Sequence, residues 1–157
     1  MVNRKSTVRF AIVAALVFGV SILIASRPVS ARSETKPKQK VVIHLSRYTE
    51  NTHAALMATH FAENLQEHGA EVTMMLDVGG VRLADKRQAQ NSDNGIDSQI
   101  SKYYDGFVKA GGKVLVCPHC AQTAGLTEQN LRPGARIGKN LGELTDLILS
   151  ADKILDY

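Results

Sequence analysis

Beyond Lys40, short apolar runs alternate with stretches whose apolar residues recur at helical spacing, and this alternation limits the fold more than any other feature of the chain. "VVIHL" (41–45), "AEVTMML" (70–76) and "KVLV" (113–116) read as strands. Between the first two, Ala55, Met57, Ala58, Phe61, Ala62 and Leu65 form one helical stripe that ends at Gly69, with Thr52 as the expected cap. Ahead of the third, Ile100, Tyr103, Tyr104, Phe107 and Val108 supply a second stripe, starting at Asp97 or Ser98 and stopping at Gly111 and Gly112. A short helix from about Cys120 to near Gly125 follows. Next come a strand around 135–137, an amphipathic helix in "NLGELTDLILS" and a closing strand in "DKILDY". Strands alternating with helices predict an α/β fold with a mainly parallel sheet. "RLADKRQAQNSDNG" (82–95) fits neither period and reads as a mobile surface excursion.

The first 40 residues have another character. "MVNRKSTVR" is basic, Phe10 to Ala25 is an uncharged apolar run of 16 residues, and Val29-Ser30-Ala31 is a small-residue site. That order describes a secretory signal peptide cleaved after Ala31, and hence a secreted or periplasmic protein. Retained, the segment would be a membrane anchor, although a full span takes about 20 residues. Polar, Pro-containing 32–40 reads as a disordered lead-in to a domain over 41–157. The leader holds four basic residues and no acid, so the remaining 126 residues carry 15 of each sign. No basic stripe with interleaved aromatics is left, which argues against nucleic-acid binding.

Ligands of open α/β sheets bind outside the carboxyl ends of the strands. Those ends carry Ser46, Arg47, Tyr48 and Asn51 after the first strand, and Asp77, Gly79 and Gly80 after the second. Cys117, Pro118, His119 and Cys120, "CPHC", follow the third. A bridge closing so short a loop adds little stability, so the pair reads as chemical. A thiol at a helix start is expected to have a lowered pKa, and a protonated His119 would act the same way. His53 lies close enough to meet a substrate. His60 and His68 read as surface residues, His44 as a satisfied strand residue, and Met74 and Met75 as core. Tyr103 and Tyr104 read as packing between helix and sheet or at a subunit contact.

CPHC is also a motif of periplasmic thioredoxin-fold oxidants, but there it follows the first strand, with much chain and a cis-proline loop after it. Here it follows the third, with 37 residues remaining and Pro133 in "RPG" as the sole later proline. Dithiol chemistry survives that rejection; the fold does not. A c-type haem site needs His where Ala121 stands. A Cys2His metal site lacks a second ligand pair, so neither metal nor cofactor is expected.

In the blocks "VVIHLS", "LQEHGAEVTMML", "DVGGVRLADKR" and "GGKVLVCPHCAQTAGL", and in the tail from Leu131 to Tyr157, the chain resembles the DsrE/DsrF-like family of sulfur-relay proteins. The resemblance implies a three-layer α/β/α sandwich with a five-stranded, mainly parallel sheet, assembled as trimers or hexamers. It also implies a persulfide carried on the loop after the third strand, on Cys120 by position, with Cys117 as its resolving or partner thiol. Pro118, His119, Arg47, Asn51, His53 and Asp77 are the expected surroundings. The expected function is extracytoplasmic sulfur binding or transfer, with a sulfur donor or acceptor protein as partner. The rivals are a dithiol–disulfide oxidoreductase and a non-catalytic oligomeric binding module.

Overall fold

The computed structural model describes residues 37–88 and 95–157. The expected leader, most of the lead-in and the middle of the 82–95 stretch lie outside the described residues. Strands β1 (Lys40–Leu45), β2 (Glu71–Leu76), β3 (Lys113–Val116), β4 (Ala135–Ile137) and β5 (Lys153–Asp156) form one sheet in the order β4-β3-β2-β1-β5. Every neighbouring pair is parallel, so the expected mainly parallel sheet is wholly so. β1 begins at Lys40, one residue before the expected start.

Strand period sorts the side chains onto two faces. Val41, Ile43, Leu45, Val72, Met74, Leu76, Val114 and Val116 enter the larger core, whereas Val42, Met75, Leu115 and Cys117 enter the smaller one. Helices α1 (Thr52–Glu67) and α2 (Ile96–Lys109) bury Ala55, Ala58, Ala62, Ile100, Tyr104 and Phe107 in the larger core. Helix α4 (Leu141–Leu149) packs Leu144 and Leu147 on the other. Right-handed crossovers explain the split: the chain steps one way from β1 to β4, then returns across the sheet to β5, which moves α4 to the opposite face. Three layers result. Burying an aromatic such as Phe107 contributes about 2–3 kcal/mol.

α1 and α2 lie close together. A Cβ on Gly106 would come within 1.8 Å of Glu63 Oε1. His60, read as a plain surface residue, is exposed but stacks on Tyr103 with 4.4 Å between ring centres. The cap of α1 is Asn51, whose Oδ1 accepts from the Ala54 N–H at 3.0 Å, and not Thr52, because the Asn side chain reaches the orphan amides of the first turn. α2 begins at Ile96, behind Gly95 at φ +66°.

The stretch from Arg82 departs most from expectation. Val78–Ala84 is a 3-10 segment that buries Val81, Leu83 and Ala84, and Asp85 behind it is only 2% exposed. Gly80 lies so close to the end of β1 that a Cβ there would sit 2.0 Å from the Leu45 carbonyl oxygen. Asp85 accepts from the Arg87 N–H, Nε and Nη2 at 2.8–3.0 Å. Arg132, also buried, takes the Ala84 carbonyl on its N–H at 2.7 Å and lies over the Tyr104 ring. The segment is thus anchored to the sheet and to the turn before β4. The polar composition of 85–94 hid this because the apolar side chains that anchor the segment, Val81, Leu83 and Ala84, number only three. Among the described residues no helix is long and apolar enough to cross a membrane.

Two outcomes follow for stability. Gly80→Ala forces a methyl into backbone, so equilibrium urea unfolding is expected to show a loss of about 3 kcal/mol. The Arg87 guanidinium and N–H hold the Asp85 carboxyl below the usual carboxylate range. A depressed folded-state pKa means that this stability is present above the unfolded value, near 3.9, and is lost as pH falls through the folded one. Asp85→Asn is expected to be less stable at neutral pH and to flatten the acid limb of a stability–pH curve.

Candidate functional site

Cys117 and Cys120 meet the sheet differently. β3 ends as the Cys117 N–H donates to the Leu76 carbonyl at 2.8 Å, continuing the β2–β3 ladder by one step. Helix α3 (Pro118–Thr123) then starts at Pro118, earlier than the expected Cys120, because proline at the first helical position loses no hydrogen bond. Cys117 occupies the cap position with its side chain buried beside Val42, Met75 and Leu115. Cys120, one turn on, is partly buried and packs against both cores. Both cysteines are free thiols, and the Cys117 thiol lies close enough to act on the charge of Cys120.

Around Cys120 the loop after β2 closes the site. The Val78 N–H faces the Cys120 sulfur and favours its thiolate, although Val78 holds φ at +43°, a region β-branched residues avoid. Such backbone costs on the order of 1–3 kcal/mol and persists where the surroundings enforce it. Here the closeness of Gly80 to β1 and the Gly80 N–H to Ser46 carbonyl bond at 3.0 Å do so. Val78, Gly79, Arg82, His119, Cys120 and Thr123 line a cavity of about 390 Å³. A larger depression, about 630 Å³, lies at the amino ends of the strands. It contains no cysteine or histidine, and four of its charged residues are engaged in the pairs Lys113–Glu71 and Arg136–Glu143. The chemistry belongs to the smaller cavity.

The Cys120 thiol is pushed above its ordinary pKa by burial first, then by the neighbouring Cys117 thiol, against the opposing pull of the Val78 N–H. The negative charge of Asp77 adds a smaller push in the same direction. The expectation of a lowered pKa at a helix start is therefore not met: burial and a neighbouring thiol outweigh a helix of six residues.

Asp77 has a second neighbour. His44 places Nε2 3.0 Å from Asp77 Oδ1 and Nδ1 2.6 Å from Asp156 Oδ1. The first contact lies off the hydrogen-bond axis and is an ionic approach; the second is a hydrogen bond. His44, read as a satisfied strand residue, thus joins the ends of three strands.

The structure brings together Cys117, Cys120, Pro118, His119 and Asp77. It does not gather the rest. Asn51 spends its side chain on the α1 cap, and the exposed Arg47 and His53 do not line the cavity. Arg82 does line it and was missed, since it opens the stretch read as a mobile excursion. No sequence period marks a 3-10 segment, so only the tertiary fold reveals it. Among the described residues no group of His, Cys, Asp and Glu is arranged to hold a metal ion.

An all-parallel five-stranded sheet with a cysteine pair after its third strand defines a class, and comparison with known proteins agrees. The model of the DsrE/DsrF-like family matches residues 39–157, and the chain belongs to that family, whose general theme is sulfur relay. Solved structures sharing the fold include the ychN protein from E. coli, at TM-score 0.63 and 21% identity, over 76% of this chain and 99% of that one. Another is MTH1491, a protein of unknown function from Methanobacterium thermoautotrophicum (TM-score 0.57, 14% identity, 76% and 100% coverage). BT1422 from Bacteroides thetaiotaomicron, also of unknown function, has TM-score 0.53 and 20% identity over 76% and 95%. Identities this low establish the fold alone. No curated protein matches the chain.

Alkylation kinetics check this electrostatic account. Iodoacetamide is expected to modify Cys120 slowly at neutral pH, with the rate still rising past the ordinary thiol range. Cys117→Ala removes the second-largest cause of the shift, so it is expected to speed that reaction several-fold at pH 7. Asp77→Asn is expected to act in the same direction and more weakly.

Proposed function

We propose that this protein carries sulfane sulfur as a persulfide on Cys120, in an extracytoplasmic compartment, with Cys117 as the partner thiol. The observation that supports it is the division of labour between the sulfurs. Cys120 is partly exposed and opens onto a cavity, and Cys117 lies buried behind it within hydrogen-bond reach. Loading is a displacement: the Cys120 thiolate attacks the sulfane sulfur of a donor, an S–S bond forms at Cys120, and the donor's S–S bond breaks with its electron pair on the leaving sulfur. Release to an acceptor thiolate repeats the exchange. Alternatively, Cys117 attacks the inner sulfur, giving a Cys117–Cys120 disulfide and hydrosulfide.

Pro118 fixes the turn into α3, and the Val78 N–H faces the sulfur that carries the negative charge. Export rests on the leader-like residues 1–31. Assembly of several copies draws support from the flank of α4 and β5, where Leu141, Leu149 and Ile154 are exposed. A sulfur donor or acceptor protein would dock at the cavity mouth.

The closeness of the two thiols also favours a second reading, a dithiol–disulfide oxidoreductase. Intact mass of the purified protein after polysulfide exposure separates the two. Sulfur carriage predicts mass increments of one sulfur that a reductant removes, that Cys120→Ser abolishes and that Cys117→Ser retains. A loss of two hydrogens without added sulfur would favour the oxidoreductase. Labile sulfur persisting on Cys120→Ser would overturn the assignment to Cys120.

A further inference from the structure

We infer that the Cys120 cavity selects its donor by charge: Arg82 pairs with the anionic end of a small sulfane-sulfur anion, hydropolysulfide or thiosulfate, and so lays the sulfane sulfur against Cys120. The inference rests on the reading of Cys120 as the sulfur-bearing residue and adds the class of donor.

The cavity carries one permanent charge, and it is positive. Among the described residues that line it, Arg82 alone is permanently charged, and none is a carboxylate. Among the described residues, no acid lies within ion-pair distance of Arg82. Of the two acids near enough to feel its field, Asp85 accepts three bonds from Arg87, and Glu50, whose carboxylate lies against Gly79, accepts the Tyr48 N–H at 3.3 Å. A half-buried guanidinium with its donors unspent beside a nucleophile is built for an anion, since it offers a planar fork to charged oxygen or sulfur.

Size points the same way. About 390 Å³, closed on one side by the Val78–Ala84 segment and on another by α3, suits a molecule of a few heavy atoms. Asp77 stands behind the thiol and repels a negative nucleophile, so a bare anionic donor would be disfavoured without a compensating cation. Arg82 supplies that cation from the open side. Because burial holds the resting thiol above its ordinary range, holding the donor in place matters more than a ready thiolate.

The step balances without an external oxidant. Cys120 releases its proton to solvent and attacks the sulfane sulfur. The donor's S–S bond breaks as the Cys120–S bond forms. Hydropolysulfide leaves as hydrosulfide or a shorter hydropolysulfide, and thiosulfate leaves as sulfite. The product persulfide anion remains beside the Val78 N–H and Arg82.

The test is the concentration dependence of sulfur loading on the full chain and on Arg82→Gln, with hydropolysulfide and thiosulfate in separate arms. Loading is followed by time-resolved intact mass, and the uncharged reagent iodoacetamide reports on the thiol itself. Arg82→Gln is expected to raise the half-saturating concentration about ten-fold, with the same final loading and an unchanged iodoacetamide rate. Iodoacetate, the anionic analogue, is expected to slow where iodoacetamide does not. An effect confined to one arm supports the inference and identifies that anion as the donor. Unaltered loading of Arg82→Gln overturns it, as does a parallel fall with iodoacetamide, which would mean a damaged thiol. Wild-type protein that takes sulfur only from another protein's persulfide also overturns it. Sulfur that persists on Cys120→Ser would instead defeat the underlying reading, an outcome separate from any of these.

Discussion

The backbone ladder at the carboxyl end of the sheet is the constraint on which the site depends. Parallel pairing of β1, β2 and β3 brings Leu45, Leu76 and Val116 to one edge, and the chain leaves each strand still hydrogen-bonded to its neighbour. Cys117 N–H donates to Leu76, Asp77 N–H to Leu45 and Gly80 N–H to Ser46. These bonds bring two loops into contact that are separated by some 40 residues of sequence, and the thiols, the Val78 amide and Arg82 converge because of them. Glycine at position 80 is a requirement of that closeness.

Once the loops are set, the electrostatics of Cys120 follow from burial. A thiol between two cores, beside a second thiol and a carboxylate, is held in its neutral form. Val78 partly opposes this with an amide presented from strained backbone. His44 stands 3.0 Å from Asp77 on one ring nitrogen and hydrogen-bonds Asp156 on β5 with the other, so the carboxylate near the thiol lies beside a side chain fixed to the edge strand of the sheet. A resting site of this kind is quiet toward general electrophiles.

Much of this architecture was legible in the chain. The strand runs, the two apolar helical stripes and the glycine after α1 follow from periodicity and backbone preference, which act over a few residues and leave a local mark. The placement of CPHC at the end of the third strand was legible for the same reason. The cap of α1, the start of α3 at Pro118 and the packing of Arg82–Asp85 were not. Each is decided by which of several competent neighbours reaches a backbone group first, or by contacts with Arg132 and Tyr104 that sequence distance conceals.

The sequence by itself determined the class of fold, the family and the two sulfurs, because hydrophobic period and a motif at a strand end are properties of neighbouring residues. Tertiary structure alone decided which sulfur is open to a cavity, the direction in which the Cys120 pKa moves, and that Arg82 and not Arg47 or His53 faces it. Those outcomes depend on burial and on charges brought together from distant segments, and a one-dimensional pattern carries neither.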